Sequence, residues 1–296
     1  MKKVGGFFMT KKGFLVLKSL LKSNYAPNLA FVVGALDKNV RKDYNTEIRE
    51  LCTANGIAYY DKHEPGYMDI QVEYFLAISW RWLIKTKNST SLIVLHDSLL
   101  PRYRGFSPLV NCLINGEREI GVTALFAEKE YDKGPIIGQS KINVEYPIKI
   151  ATAIDLISNC YVDLVLDIFS KINSNTIISA EPQDESLATY SLWRDDEDYK
   201  IYWSKSSNEI RRFIDAVGNP YLGASTFVGE RKVRIFESIE IPDITVENRS
   251  PGKVVFMEKG KPVVVCGEGL LMIKDAIFDD TQEPLIPLKM FRIKFC

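Results

Sequence analysis

The sequence predicts an α/β chain, a doubly wound sheet followed by a smaller, mostly β domain, and three observations predict it. Short, continuously apolar runs alternate with amphipathic helical stretches through the first part of the chain. That alternation is the mark of strands covered by helices on both faces. A polar stretch then interrupts the pattern, and beyond it short strand-like runs follow one another with Gly-containing turns between, which suggests a small β-barrel or sandwich.

In order, Val4 to Met9 reads as a first strand, and Phe14, Leu17 and Leu21 recur at spacings of three and four, as on one face of a helix. Leu29 to Leu36 is the next strand. Ile48, Leu51 and Cys52 mark the helix after it, closed by Gly56 where a left-handed residue is needed. Ile57 to Tyr60, Tyr74 to Ser79 and Leu92 to His96 follow as short apolar strands, expected to be parallel. Gly121 to Ala127 and Pro135 to Val144 read as further strands. Ala151 to Ile172 is a long helix with Ile154, Ile157, Tyr161, Leu164, Val165 and Ile168 on one stripe. The polar stretch from Asn173 to Asp198 reads as a linker, so the domains are expected at 1–190 and 200–296. Ile210, Phe213, Ile214 and Val217 then give one amphipathic helix, stopped by Gly218 and Pro220. Strands are expected at Ala224 to Val228, Val233 to Ile239, Lys253 to Met257, Pro262 to Cys266 and Leu270 to Ile273. No internal repeat is present.

Composition narrows the function classes. The 296 residues carry 38 basic and 38 acidic side chains, so the charge balance offers no electrostatic case for nucleic-acid binding. An apolar share of 46% with 26% charged residues is globular, not disordered. No apolar run approaches the roughly 20 residues of a membrane-spanning helix. The apolar start is cut by Lys11 and Lys12 and lacks a small-residue cleavage site, so it is read as a strand and not a signal peptide. Cys52, Cys112, Cys160, Cys266 and Cys296 form no C-x-x-C pair, which argues against a disulfide framework or a zinc site and favours the cytoplasm. Gly5-Gly6 is followed by Phe7 and Phe8, so no dinucleotide fingerprint is present, and Gly260-Lys261 does not precede a helix.

The chain has two histidines, and histidine is the side chain suited to moving protons near neutral pH. His63 lies in the polar turn Asp61-Lys62-His63-Glu64-Pro65-Gly66 and reads as a solvated loop residue. His96 ends an apolar run and should project from the carboxyl edge of a strand, where open α/β sheets place their ligands. The polar loop Asp97 to Pro108, bracketed by Pro101 and Pro108, must take a defined path. Asp132 precedes Gly134 and a strand; a carboxylate there, if it met His96, would fix its tautomer and stabilise its charged form. Spacing alone leaves that meeting open.

The run His96 to Pro108, reading His-x-Ser-Leu-Leu-Pro-x-Tyr-Arg-Gly-x-x-Pro, is accompanied by Asn115-Gly116-Glu117, Gly121-Val122-Thr123 and Asp132-x-Gly134-x-Ile136. Together they resemble the 10-formyltetrahydrofolate-dependent formyltransferases. The resemblance continues through Ile201-Tyr202-Trp203, Asn219 to Ala224, Pro251-Gly252 and Cys266 to Gly269, which are similar to the carboxyl-terminal domain shared by methionyl-tRNA formyltransferase and some sugar formyltransferases. It implies a Rossmann-like formyltransferase domain followed by an OB-like barrel. It also implies formyl transfer from the folate co-substrate to a primary amine, with His96 shuttling protons and Asp132 orienting it. The family's third catalytic residue is an Asn two positions before the His; this chain has Val94, which cannot donate to an oxyanion. Ser98, Asn111 or a backbone N–H is the expected substitute, or transfer is impaired.

The resemblance further implies that the pteridine lies near Ser79 to Ile84, with Trp82 and Leu83, and against Leu99 and Leu100. The tRNA enzymes carry a long basic insertion after the second strand, whereas Ala35 to Asp43 passes quickly towards a helix. The expected acceptor is therefore a nucleotide-linked amino sugar, a precursor of cell-surface glycan, with methionyl-tRNA as the alternative. A catalytically silent folate or sugar-nucleotide binding protein is the third reading, suggested by Val94. Lys11, Lys12, Arg81, Arg102, Arg104 and Arg194 are the cations available to an acceptor's pyrophosphate. Arg104 and Gly105 read equally well as shaping their loop. No metal is expected, and a homodimer is, by analogy with the sugar enzymes.

Overall fold

The computed structural model describes residues 2–37, 40, 42–86 and 90–296. They divide into two compact units. The first comprises Met1–Leu109, Arg118–Val144 and Ala153–Leu192; the second comprises Val110–Glu117, Glu145–Thr152 and Trp193–Cys296. In place of the expected contiguous stretches 1–190 and 200–296, two short segments of the first stretch, Val110–Glu117 and Glu145–Thr152, cluster with the second unit.

The first unit is built on seven strands: β1 (Val4–Phe8), β2 (Leu29–Gly34), β3 (Ala58–Asp61), β4 (Tyr74–Ile78), β5 (Ser91–His96), β7 (Glu119–Phe126) and β8 (Ile136–Asn143), with the two-residue β6 (Arg104–Gly105) outside the main sheet. The order across the sheet is β3-β2-β1-β4-β5-β7-β8. Pairing is parallel from β3 to β5. It turns antiparallel at β7 and β8. For the β7–β8 pair the reason lies in the connection: β7 reaches β8 through residues 127–135, too few for the crossover that a parallel partner requires.

Register decides what shares a face. Phe7 pairs with Ala77, Ala77 with Val94, and His96 with Thr123. Side chains alternate along a strand, so Leu92, Val94 and His96 project from the same face of β5. The apolar cluster there is Phe7, Phe31, Val33, Val72, Phe75 and Ala77, with Trp80, Leu92 and Val94 packed against it.

Helix α1 (Thr10–Leu21) buries Val16, Leu17 and Leu20; α2 (Asn45–Ala54) buries Ile48 and Cys52. Beyond α2, Gly56 takes φ +66° while Ile57 donates its N–H to the Cys52 carbonyl, which is the left-handed ending its sequence predicts. The helix α3 (Pro108–Asn115), starting on a proline where its missing N–H costs nothing, was not legible in the apolar pattern. The long α4 (Ile150–Asn173) buries Ile157, Tyr161, Leu164, Val165 and Ile168.

The stretch expected to be a linker is instead largely tied to the first unit. Ile136 and Glu181 exchange backbone hydrogen bonds of 2.7 and 2.8 Å, and β9 (Tyr190–Ser191) pairs in parallel with Arg104–Gly105. Its polar side chains are used in hydrogen bonds, not merely solvated; composition alone does not separate these cases. The first unit ends at Leu192.

In the second unit, α5 (Ser207–Val217) begins with a capping box between Ser206 and Glu209. Five antiparallel strands follow: β10 (Ala224–Val228), β11 (Arg231–Ile241), β12 (Val254–Glu258), β13 (Lys261–Val265) and β14 (Leu270–Phe278), in the order β10-β11-β14-β13-β12. The C-terminal residues join the two sheet edges. Cys296 exchanges 3.0 Å hydrogen bonds with Phe227 in β10, while Phe295 donates to Gly252 and Val254 donates to Ile293. The open edges thereby become a barrel. Inside it Trp203 packs 5.6 Å from Phe295 and donates to Thr226 Oγ1 at 3.0 Å. Four cysteines are buried free thiols and Cys296 is exposed. Among the described residues, no helix is long and apolar enough to cross a membrane.

Candidate functional site

His96, the last residue of β5, is 7% exposed. Its Nε2 lies 2.8 Å from the Tyr103 carbonyl. A carbonyl only accepts, so Nε2 carries the proton. Nδ1 then faces Asp132 Oδ1 at 3.5 Å, and a proton arriving on Nδ1 is met by a carboxylate. The β7–β8 loop delivers Asp132 to this place, and the second oxygen of its carboxylate accepts the Gly105 N–H at 2.8 Å. His96 and Asp132 are therefore side by side.

Two glycines make the approach possible. Gly105 has φ +100°, and a Cβ there would lie 2.5 Å from the Ser191 carbonyl oxygen. A Cβ on Gly134 would lie 1.7 Å from the Phe126 carbonyl oxygen. Asp132 itself holds φ +59°, a left-handed conformation that Asp tolerates better than most residues.

Behind His96, the next residue, Asp97, accepts from Lys12 Nζ and from the Tyr161 hydroxyl. Burial works to raise the Asp97 carboxyl, but the Lys12 charge and these hydrogen bonds outweigh it and hold the carboxyl below its ordinary value. This buried pair joins α1, β5 and α4. Thr123, opposite His96 in the sheet, donates to the Ser98 carbonyl at 2.7 Å and accepts from the Leu100 N–H at 3.0 Å, fixing the start of the loop.

Several of the expected site residues have partners within the protein. Arg104, offered as a substrate cation, is fully buried, its guanidinium bound to Glu185 and Gln183. Ser98, offered as an oxyanion donor, gives its hydroxyl proton to the Arg102 carbonyl at 2.7 Å. Asn111, the other candidate donor, belongs to the second unit, where its Oδ1 accepts from Arg194 at 2.6 Å. Val94 is half-buried in the apolar cluster. Lys11 pairs with Asp155 and Lys12 with Asp97. Arg81 bonds the buried Asp37 at 2.7 Å, and the Arg102 guanidinium lies 5.2 Å from the centre of the Tyr103 ring.

Among the expected folate contacts, Trp82 is partly exposed, 5.2 Å from Trp80 edge to face, with Lys62 Nζ 3.6 Å over its ring. Leu83 is 82% exposed and Leu100 is 4% exposed. Leu99 is half-buried beside Gly121. His63 is exposed, as expected of a solvated turn. Lys38 and Arg41, two of the bases in the connection after β2, lie outside the described residues; Lys42 pairs with Glu47 at 2.7 Å. The residues that sequence reasoning missed are Gln183, Glu185, Thr189 and Ser191. Thr189 accepts from the Tyr103 N–H through its hydroxyl and from the Arg104 N–H through its carbonyl, both at 2.9 Å. Their only signal was polar composition, which pointed to a linker.

A mixed sheet of mainly parallel strands with a His–Asp pair at a strand end, followed by an antiparallel barrel, makes a two-unit α/β architecture with a candidate proton-transfer site. The chain belongs to the formyl transferase family: residues 35–152 match formyl transferase and residues 194–284 match the formyl transferase C-terminal domain. Among solved structures it is similar to an N-formyltransferase from Helicobacter canadensis in complex with folinic acid and dTDP-3-aminofucose (19% identity, 93% of this chain and 99% of that one, TM-score 0.68). It is also similar to methionyl-tRNA formyltransferase from Clostridium thermocellum (15% identity, 93% and 100%, TM-score 0.56). HypX from Aquifex aeolicus in complex with tetrahydrofolic acid is a third (16% identity, 94% of this chain, TM-score 0.62). The chain spans 44% of that HypX, less than half its length.

Proposed function

We propose that this chain transfers a formyl group from 10-formyltetrahydrofolate to the primary amine of a nucleotide-linked amino sugar. The observation that carries the reading is the His96–Asp132 pair, its imidazole and carboxylate 3.5 Å apart at the end of β5. The neutral amine attacks the formyl carbon, a C–N bond forms and the carbonyl oxygen becomes an oxyanion. The proton leaving the amine is received by the pair, on His96 Nδ1 beside the Asp132 carboxylate. Collapse of the intermediate breaks the bond to the folate nitrogen, which takes up a proton as it leaves. Because position 94 supplies no amide, the imidazolium formed on His96 and backbone N–H groups are what remains to meet the oxyanion.

The sugar acceptor is favoured over tRNA by the balanced charge and by a connection of only residues 35–44 between β2 and α2. The Helicobacter canadensis structure, with its amino-sugar nucleotide, supports the same choice. In this reading 1–190 does the chemistry, and the enzyme is a cytoplasmic homodimer serving glycan synthesis; sedimentation tests the dimer.

The experiment incubates the protein with 10-formyltetrahydrofolate and a panel of nucleotide-linked amino sugars, beside charged initiator tRNA, and follows release of tetrahydrofolate and formylation of the acceptor. Turnover with a sugar nucleotide is expected, abolished in His96→Ala. Turnover with tRNA alone overturns the acceptor. Binding of both ligands without transfer replaces the enzyme reading with a silent one, and full activity in His96→Ala removes the mechanism.

A further inference from the structure

Asp132 is held by more than its own loop. Gln183, in the stretch that joins the two units in sequence, donates one N–H of its side-chain amide to the Asp132 carbonyl at 2.7 Å and the other to the Gly134 carbonyl at 2.8 Å. It thereby clamps the turn on both sides of Lys133. The amide oxygen accepts from Arg104 Nε at 3.1 Å and Nη2 at 2.7 Å. Guanidinium groups only donate and carbonyls only accept, so this surrounding admits one orientation of the amide. Arg104 is in turn held by both oxygens of Glu185, at 2.9 and 2.7 Å. The hydrogen bonds to Glu185 make the Arg104 guanidinium hold its proton more tightly, against the opposing effect of burial.

The arrangement converges on one residue from two sides. Arg104 reaches the Asp132 main chain through Gln183, while its neighbour Gly105 donates to the Asp132 carboxylate. Asp132 sits at φ +59°, a backbone state that persists where surrounding contacts determine it. Glutamate at 183 would lose both donors and set its charge against two carbonyls; asparagine would be one methylene short. Gln183's amide is committed to these protein groups, so it acts through Asp132 and not on the reacting atoms.

We propose that Gln183, aligned by Arg104 and Glu185, is a positioning residue for formyl transfer: it holds the Asp132 turn so that the carboxylate faces His96. The proposal rests on the reading that His96 and Asp132 handle the proton. A displacement of an ångström at such a pair is enough to cost orders of magnitude in rate.

The test compares Gln183→Glu with the parent protein in Asp132 and Asp132→Asn backgrounds. In the first background kcat is expected to fall at least tenfold with both KM values within about twofold. In the Asp132→Asn background the same change is expected to cost less than twofold, because the group it positions is gone. A readout without turnover runs in parallel. The chain has two histidines, so the ring ¹⁵N signals of His96 are assigned by difference with His63→Gln. In Gln183→Glu they are expected to move towards those of Asp132→Asn, with His63 unchanged. If Gln183→Glu does not fold, Gln183→Met, of similar length and uncharged, carries the same expectations. Unmoved His96 signals, or an equal loss of kcat in both backgrounds, would overturn the proposal. A parent protein that transfers no formyl group to any acceptor would instead defeat the functional reading, leaving the ring signals to decide the clamp.

Discussion

Replacing Asp97 by Asn removes a charge from one of the least exposed ion pairs in the first unit while keeping its volume. The Lys12 and Asp97 side chains are 12% and 18% exposed, and the Asp97 carboxylate also accepts from Tyr161, which is itself 1% exposed. Breaking a buried pair on one side leaves the other charge uncompensated and costs about 3–5 kcal/mol; the residual exposure here argues for the lower end, about 3 kcal/mol. Lys12 retains its position 5.5 Å from the Tyr161 ring, which offsets part of the loss. In urea, at an m-value of about 2–3 kcal/mol per M, the transition of the first unit should move down by about 1 M. Adding Lys12→Met should restore most of it, since the two charges then leave together. The pH dependence has a definite sign. The Asp97 carboxyl is held below its ordinary 3.8 in the fold, so its stabilisation is complete above that value and disappears as pH falls through the lower folded value. Parent and variant should thus differ by a constant amount from about pH 8 to 5 and converge below about pH 4. A single-variant loss below about 0.5 kcal/mol, the level of an exposed pair, would refute the reasoning. So would Lys12→Met adding its full cost in the Asp97→Asn background.

Three further outcomes follow from the site and the barrel. Val94→Asn places an amide donor two residues before His96 on the same strand face, and turnover should rise about 100-fold; unchanged kcat would mean that another donor already serves the oxyanion. Gly134→Ala drives a Cβ into the Phe126 carbonyl and should cost about 2–3 kcal/mol of stability in urea, with kcat falling because Asp132 lies two residues away; a variant with parental stability and kcat would show that the approach is not tight. Burial raises the Asp215 carboxyl from its ordinary 3.8 to about 6, only partly countered by Arg211, so the destabilisation grows as pH rises from about 4 to 6 and stays constant above. Asp215→Asn should therefore stabilise the second unit by about 1–3 kcal/mol at pH 8 and by nothing at pH 4, read from urea midpoints at the two values.

Much of the sheet was legible because strand patterns are local. β10 occupies Ala224–Val228, the stretch its apolar pattern marks out, and Gly56 adopts the left-handed backbone expected at the end of its helix. The antiparallel turn of β7 and β8 was not legible, since apolar runs of this length carry no direction. Helix α3 was hidden for a related reason: eight residues beginning at Pro108 are too few to set up a clear period. In the site, His96 was marked by its place at a strand end and Asp132 by the spaced motif. Arg104 was left between two readings because a cation in a polar loop and a cation buried beneath Glu185 and Gln183 look alike in one dimension.

By itself the sequence determined which segments become strands and helices, which loop must hold a tight path, and which two side chains were worth bringing together, because those depend on spacings of a few residues. Tertiary structure decided that His96 and Asp132 meet, that Gln183 clamps the Asp132 turn from 51 residues away, and that residues 293–296 join β10 to β12 and close the barrel. Each of these is a contact between groups far apart along the chain. Its geometry is set by how many elements pack at once, which no local pattern encodes.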